Sequence, residues 1–350
     1  MGSARTPQNE IYLVICVNKI YLDYVREIAA CRSHDAGQSC SPGKQIVMTP
    51  ARAQHMRFPV SAMLAVCCAA AALAGCGSGS GPDVLTTPIR VVRTSSGTVA
   101  YRELGSGPAL LLITGADASM DGWPPSFVNA LAAHHKVVVF DNAGVGRTSA
   151  VSAPASLSIT AMASQTSALI SALRLHRPAV LGWSMGGMIA QALAVSHPAQ
   201  VSRLILAATA AGTGKALPLP PSTTVFSLNS AKLEAQLFPK NQAAAASAYL
   251  NAIQQYPGFY EVSAATFHSQ YLAAQRWMAG QDAAGRLAGD LRVPTLVAGG
   301  TRDRFMATAN DRLLARSVPG AKLLLFDDAG HAFWFQDAAR FIRAVETFLT

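Results

Sequence analysis

One stretch near the middle of the chain constrains its fold more than any other. Residues 179–183 form an apolar run, and residues 188–193 favour a helix. Between them lies Ser184, with Gly182 two positions before it and Gly186 two positions after it. This sequence predicts a strand, a sharp turn and a helix in direct succession. Glycines without a Cβ let the two arms of such a turn approach each other, and the turn strains its central residue. Ser184 is therefore the candidate nucleophile.

The sequence around this turn alternates between short apolar runs and helical segments. Continuous apolar runs are typical of parallel strands that are covered on both faces. Runs of this kind occupy residues 109–113, 136–140, 201–207, 295–298 and 322–326. Segments of helical character occupy residues 123–133, 157–173, 306–317 and 337–349. The alternation predicts an α/β fold with a mostly parallel, doubly wound sheet, spanning residues 89–350.

The alternation stops between about residue 212 and residue 290. Prolines open this segment, and alanine- and glutamine-rich helical patterns with many aromatic residues follow. We predict a helical cap inserted between two strands of the sheet. Its aromatic, weakly charged composition favours an apolar substrate of small to medium size.

The first 76 residues differ from the rest, because all six cysteines of the chain lie there. No disulfide or thiolate metal site is expected in the remainder. Residues 1–55 receive no functional assignment, and a misplaced translation start is one interpretation of them. Met56 begins a complete export signal of its own, with one arginine and then an apolar run from Phe58 to Ala74.

The end of this signal, Leu73-Ala74-Gly75-Cys76, resembles the lipobox of bacterial lipoproteins. The resemblance implies cleavage before Cys76 and lipidation of that cysteine. A simply cleaved signal and an uncleaved membrane anchor are the alternatives. Residues 56–76 are thus predicted to place the protein in the cell envelope, anchored to the outer face of the membrane through Cys76. Residues 77–88, rich in glycine and serine at their start, are predicted to be a flexible tether.

Charge and glycine motifs exclude several other classes of function. The formal net charge of +9 is spread along the chain without a basic cluster, so no nucleic-acid partner is expected. Gly144-x-Gly146 lacks the third glycine and acidic residue of a dinucleotide fingerprint, and Gly212-x-Gly214 is not a phosphate-binding loop. No metal-ligand pattern is evident. We therefore expect neither a cofactor nor a metal, and the oligomeric state is left open.

A serine nucleophile requires a base and an acid. His331 follows the apolar run 322–326 and a short turn, which places it at the carboxyl edge of the sheet, where parallel sheets gather their sites. Asp303 follows the run 295–298 and is the candidate acid, although an ion pair with a neighbouring arginine is the competing explanation. Asp327 and Asp328 are the alternatives for the acid.

Four motifs together resemble the α/β-hydrolase superfamily, and they occur in that family's order. They lie at residues 141–149, 182–187, 300–303 and 330–331. The resemblance implies a Ser184–Asp303–His331 triad. It also implies an oxyanion hole formed by the backbone N–H groups of Met185 and Ala116.

Three residues of this sequence are unusual for that family. Thr114 stands where the family commonly has histidine, and Asn142 where arginine is more frequent. Asp117 lies beside a hole built for negative charge, and we expect its carboxylate to point away and cap the turn.

These features together predict an exported, lipid-anchored serine hydrolase that cleaves a carboxylic ester through an acyl-enzyme. Its partners would be a small-molecule ester and the membrane. Alternatives on the same triad are a cofactor-free haloperoxidase-like enzyme and a carbon–carbon bond hydrolase. A non-catalytic binding protein of the envelope is an alternative from another class.

Overall fold

The computed structural model describes residues 81–151, 157–221 and 236–350. The extension 1–55, the export signal 56–76 with Cys76, and the first part of the predicted tether lie outside the described residues. Within these three ranges, no helix has both the length and the apolar character needed to cross a membrane.

The end of the predicted tether belongs to the folded body. Val84 is fully buried, and its N–H donates to Asn129 Oδ1 at 2.8 Å. The Arg102 guanidinium also donates to the carbonyl of Thr87. The expectation that the tether extends to residue 88 was therefore wrong, because the apolar side chain of Val84 packs into the core.

Eight strands form one sheet in the described part of the chain. They are β1 (Arg90–Thr94), β2 (Gly97–Leu104), β3 (Ala109–Ile113), β4 (Lys136–Phe140), β5 (Ala179–Trp183), β6 (Leu204–Ala207), β7 (Thr295–Gly300) and β8 (Lys322–Phe326). Their order is β1-β2-β4-β3-β5-β6-β7-β8. The pairings of β1 with β2 and of β2 with β4 are antiparallel, and the others are parallel. The predicted mostly parallel sheet is confirmed.

Helices cover both faces of this sheet. They are α1 (Pro125–Ala132), α2 (Ile159–Ala172), α3 (Met185–Ser196), α4 (Ala243–Ile253), α5 (Ala264–Met278), α6 (Thr308–Ser317), α7 (Phe333–Gln336) and α8 (Ala338–Leu349). Alternate residues of a strand enter opposite cores: Leu111 packs with α2 and α3, whereas Leu110 packs with α1 and α8. Burial on both faces explains why the strands are continuous apolar runs.

Helices α4 and α5 lie between β6 and β7, where the sequence predicted a helical insertion. The insertion is fixed to the body by polar groups of buried aromatic residues. The hydroxyl of Tyr249, in α4, donates to the carbonyl of Gly122 at 2.8 Å. The hydroxyl of Tyr256, just after α4, donates to the carbonyl of Trp123 at 2.7 Å. A buried phenol that keeps its hydrogen bond avoids the cost of an unpaired polar group. These contacts hold the insertion above the carboxyl edge of the sheet.

Candidate active site

Ser184 occupies the sharp turn between β5 and α3, in a backbone conformation rare for a residue with a side chain. Its φ is 57° and its ψ is −122°. A Cβ at Gly182 would collide with the carbonyl oxygen of Gly186, and one at Gly186 with that of Ile113. Both glycines are therefore required by close approach of backbone. The strain at Ser184 is the kind found at functional sites, where the surrounding structure fixes an unfavourable conformation.

Strand β6 and the segment just after it hold the turn in place through hydrogen bonds. The Ser184 N–H donates to Ala207 O at 2.9 Å, and the Thr209 hydroxyl donates to Ser184 O at 2.7 Å. Both backbone polar groups of Ser184 are thus hydrogen-bonded, and the residue borders the cavity.

His331 and Asp303 lie in direct contact. His331 Nδ1 is 2.7 Å from Asp303 Oδ2, and the imidazole is almost fully buried. Asp303 Oδ1 accepts the N–H groups of Phe305 and Met306, both at 2.8 Å. These bonds fix the carboxylate, so Nδ1 of the imidazole carries the proton toward Asp303 and Nε2 is left as the basic nitrogen.

Neither of the alternative acids, Asp327 and Asp328, forms a hydrogen bond or ion pair with His331 in the described residues. Arg302 Nε pairs with Asp328 Oδ1 at 3.0 Å, so the arginine beside Asp303 is engaged elsewhere. Within the described residues, the side chain of Asp303 contacts His331 and forms no ion pair with an arginine. The Trp183 indole N–H donates to His331 O at 3.0 Å, which ties the histidine loop to the end of β5.

Ser184 and His331 border one cavity, together with the loop that follows β3. The described residues contain no hydrogen bond between the Ser184 hydroxyl and the His331 ring. In unliganded sites such catalytic contacts are often long and tighten when substrate binds.

The loop after β3 lies against the nucleophile. A Cβ built on Gly115 would be 3.1 Å from the Ser184 Cβ. The Met185 N–H begins α3 and has no acceptor within the helix, as is true of every first helical turn. The Ala116 N–H likewise donates to no acceptor in the described residues. Both predicted oxyanion donors are thus free and border the cavity.

Two of the three unusual residues, Thr114 and Asn142, contact each other. Asn142 Nδ2 donates to Thr114 O at 3.2 Å and to Thr114 Oγ1 at 3.3 Å. Thr114 Oγ1 in turn donates to Ala118 O at 3.3 Å. Asp141 supports the same loop by accepting the Met120 N–H at 2.8 Å, and burial raises the pKa of the Asp141 carboxyl to about 7. A threonine–asparagine pair therefore anchors the loop.

Asp117 differs from the expectation. It has a left-handed backbone with φ of 62°, and its N–H donates to Gln270 Oε1 of α5 at 3.1 Å. Asp117 borders the cavity, and no capping hydrogen bond to its carboxylate is present in the described residues. The prediction that this carboxylate caps the turn was wrong, because an amide from α5 binds the turn instead. Burial, and then the nearby Glu261, raise the pKa of Asp117 to about 7.

The cavity itself has a volume of about 120 Å³. Aromatic and aliphatic side chains form most of its wall, and the described part of that wall contains no lysine or arginine. Its aromatic members are Trp183, Tyr249, Phe259, Tyr260, Phe267, Tyr271 and Phe305. The described residues also contain no cluster of three or more potential metal ligands.

Some residues of this site were missed by sequence reasoning. Thr209 and Gln270 support the nucleophile turn and the oxyanion loop from distant parts of the chain. Neither lies in a recognisable motif. For Asn142, the signal was its position in the conspicuous run 141–149, where it was noted only as a departure.

A sheet of this topology, with a strained serine after β5 and a paired histidine and aspartate after β8 and β7, defines a class of enzymes. The model of the α/β hydrolase fold family matches residues 108–338. The chain belongs to the α/β hydrolase fold family.

Two curated relatives and one solved structure illustrate the likeness. The putative carbamate hydrolase RutD of Azorhizobium caulinodans is 29% identical over 264 residues, which cover 67% of this chain and 88% of that protein. The 2-hydroxymuconate semialdehyde hydrolase of a Pseudomonas strain is 29% identical over 257 residues, covering 70% and 88%. The α/β hydrolase fold protein from Chitinophaga pinensis superposes with a TM-score of 0.66 at 25% identity, covering 76% and 98%. Together with the family, these relatives identify an enzyme of hydrolase type that acts on a small molecule.

Proposed function

We propose that the enzyme cleaves a carboxylic ester through a serine acyl-enzyme. The observation that carries the proposal is the 2.7 Å contact of His331 Nδ1 with Asp303, in the cavity that Ser184 also borders. Because Asp303 holds Nδ1, the opposite ring nitrogen is the one able to accept the serine proton.

The chemistry follows from these positions. Ser184 Oγ attacks the ester carbonyl as its proton passes to His331 Nε2, and the carbonyl electrons move to the oxygen. The free N–H groups of Met185 and Ala116 stabilise that oxyanion. The carbon–oxygen bond to the alcohol then breaks, and His331 protonates the leaving alkoxide. Water, deprotonated by His331, attacks the acyl-enzyme and releases the acid and Ser184.

The size of the cavity bounds the substrate. Its volume of about 120 Å³ is below the range of about 300–1,000 Å³ typical of sites for drug-sized ligands. We therefore infer a small to medium acyl group on a largely apolar substrate.

The nucleophile is tested with Ser184→Ala. We expect this variant to lose turnover of 4-nitrophenyl butyrate and labelling by a fluorophosphonate probe, with an unchanged unfolding midpoint. Ser106→Ala, a change at an exposed serine outside the cavity, is the matched control and should retain both. Undiminished labelling of Ser184→Ala would contradict the proposal, and absence of labelling in the unchanged protein would favour a non-catalytic binding protein.

Carbon–carbon bond hydrolysis on the same triad is the second candidate, because one relative is a 2-hydroxymuconate semialdehyde hydrolase. Another relative is named for a dienedioate, which carries two carboxylates. The described cavity wall offers Asp117 and Glu261 and no cationic side chain, so a doubly anionic substrate is disfavoured. Parallel assays with 2-hydroxymuconate semialdehyde and 4-nitrophenyl butyrate separate the two. A higher kcat/KM for the semialdehyde would replace the ester proposal.

Export and lipid anchoring through Cys76 are also part of the proposal, supported by the sequence 73–76. In a bacterial host we expect the activity in the membrane fraction, and Cys76→Ser should move it to the soluble fraction. A variant that lacks residues 1–55 and begins at Met56 should keep both the membrane location and the activity. Membrane retention of Cys76→Ser would favour an uncleaved anchor.

A further inference from the structure

Two aromatic rings lie against the imidazole of His331. The ring centroid of Trp183, at the end of β5, is 5.4 Å from that of His331, with an interplanar angle of 43°. The ring centroid of Phe305, two residues after Asp303, is 5.5 Å from it, at 53°. Both aromatic residues border the catalytic cavity together with His331. The base of the triad is therefore in contact with aromatic rings from two separate elements of the fold.

These contacts acquire a role when His331 becomes charged. His331 takes the Ser184 proton during the attack and is then an imidazolium. A cation within about 6 Å of a ring centroid is attracted by the negative potential of the ring face, most strongly by that of tryptophan. Both rings lie within this distance, and His331 is only 3% exposed. The imidazolium therefore forms beside two rings, with little water to compete.

Trp183 is fixed in place from two sides. Its indole N–H donates to His331 O at 3.0 Å. Its ring also packs against Trp123 and Trp334, with centroids 5.9 and 5.1 Å away. Because Trp183 immediately precedes Ser184, one side chain ties the base to the strand that carries the nucleophile. The indole is thus in position before any proton moves, which is the condition for stabilising a transition-state charge without reorganisation.

We infer that Trp183 and Phe305 are positioning residues that stabilise the imidazolium form of His331. An aromatic ring attracts the imidazolium more than the neutral imidazole, so both rings lower the free energy of the charged state relative to the resting one. An aliphatic side chain of similar size excludes water as well but offers no negative ring face. The inference concerns the base itself and holds for any substrate that Ser184 attacks.

Other charged groups also surround His331, and the test has to keep them constant. Its ion-pair partner is Asp303, and the others are Asp117 and Glu261 at the cavity, the buried Asp311 that acts on Asp303, and Arg302, Arg304, Asp327 and Asp328 in the adjoining loops. Uncharged substitutions of Trp183 and Phe305 alter none of these charges. Because the pKa of Asp117 is itself about 7, turnover alone reports more than one group, and the protonation of His331 must be followed directly.

Nitrogen-15 NMR of protein labelled at histidine measures that protonation, and His331→Gln identifies the signals. We expect Phe305→Leu to lower the pH midpoint of the His331 titration by roughly 0.4–1.5 units, which is about 0.5–2 kcal/mol of lost attraction at 1.36 kcal/mol per unit. The kcat on 4-nitrophenyl butyrate should fall by roughly two- to thirtyfold, because the transition state loses the same stabilisation. Phe305→Tyr, which restores a ring, should recover most of both losses.

Two substitutions of Trp183 separate its ring from its hydrogen bond. Trp183→Phe and Trp183→Leu both remove the donor to His331 O, but only leucine removes the ring, so it should lower the midpoint further. Trp123→Leu is the matched control. Trp123 is fully buried in the same aromatic cluster, lies outside the cavity wall and has no ring contact with His331 in the described residues. It should reduce stability without moving the His331 midpoint.

An unchanged midpoint in Phe305→Leu and Trp183→Leu would overturn the inference, even with a lower kcat, because packing or substrate contact would then explain the loss. An upward shift would overturn it too, since the rings would then act by excluding water from the cation. Phe305 is only half-buried, so Phe305→Leu decides the question if the core variants do not fold. The titration needs no substrate. An absent shift therefore leaves ester hydrolysis standing, and a shift in an enzyme that cleaves no ester rejects ester hydrolysis alone.

Discussion

Replacement of Asp117 by asparagine tests whether the surroundings of the Asp117 carboxylate destabilise its charged form in the folded protein. The pKa of Asp117 is raised from 3.8 to about 7, first by burial and then by Glu261. A raised pKa means that the folded state holds the proton more tightly than the unfolded chain. Asp117 therefore favours the folded state fully below pH 3.8, and this contribution is lost as the pH rises to about 7.

The magnitude follows from the difference between the two pKa values. At about 1.36 kcal/mol per pKa unit, the full loss is roughly 4 kcal/mol, with the steepest change between about pH 4 and pH 7. Asparagine has nearly the same shape and does not titrate. The free energy of unfolding of Asp117→Asn should therefore exceed that of the unchanged protein by an amount that grows by about 2–3 kcal/mol between pH 5 and pH 8.

Urea unfolding followed by tryptophan fluorescence at pH 5, 6, 7 and 8 measures this difference. Asp290→Asn is the control, because Asp290 is exposed and its difference from the unchanged protein should not vary with pH. A constant difference for Asp117→Asn over this range would refute the reasoning. It would mean that the Asp117 carboxylate is hydrated and titrates near its ordinary value.

Three further substitutions test other parts of the structure. Asp303→Asn should lower kcat on 4-nitrophenyl butyrate by about 10⁴-fold, because the histidine loses its orienting acceptor, while the unfolding midpoint stays near its original value. Thr114→Val should lower kcat/KM roughly tenfold because the loop loses the hydroxyl's hydrogen bonds with Asn142 and the Ala118 carbonyl, whereas Thr114→Ser should retain most activity. Tyr256→Phe should reduce the free energy of unfolding by about 1–2 kcal/mol in urea titrations, because the Trp123 carbonyl loses its buried donor. A large fall in the unfolding midpoint of Asp303→Asn would contradict the first expectation, and equal kcat/KM for Thr114→Val and Thr114→Ser the second. An unchanged free energy of unfolding of Tyr256→Phe would contradict the third.

The sheet and the nucleophile turn could be predicted because their causes are local. A strand buried on both faces must be apolar throughout, and residues 109–113 and 179–183 have no other simple interpretation. The turn at Ser184 is similarly constrained, since Gly182 and Gly186 stand where any Cβ would strike backbone. Predictions of this kind need no knowledge of the tertiary structure.

The oxyanion loop could not be predicted in the same way, because its partners come from far along the chain. Gln270 lies 153 residues after Asp117, and its amide replaces the expected capping of the turn. Thr114 and Asn142 are 28 residues apart, and each was judged separately as a departure from the family pattern. Their mutual hydrogen bonds compensate for both departures, which only the folded structure reveals.

The anchoring of the helical insertion has a consequence for how such an enzyme can diversify. The hydroxyls of Tyr249 and Tyr256 donate to the carbonyls of residues 122 and 123, and Gln270 Oε1 accepts the N–H of Asp117. The segment that contributes to the cavity wall therefore also contacts the loop that carries Ala116, one of the two proposed oxyanion donors. If residues 243–278 alone were exchanged between related enzymes, their hydrogen bonds with residues 117, 122 and 123 of the body would be lost unless the new segment supplied the same groups. A change of substrate pocket in this insertion is therefore expected to alter the position of the loop after β3 as well, and with it the rate.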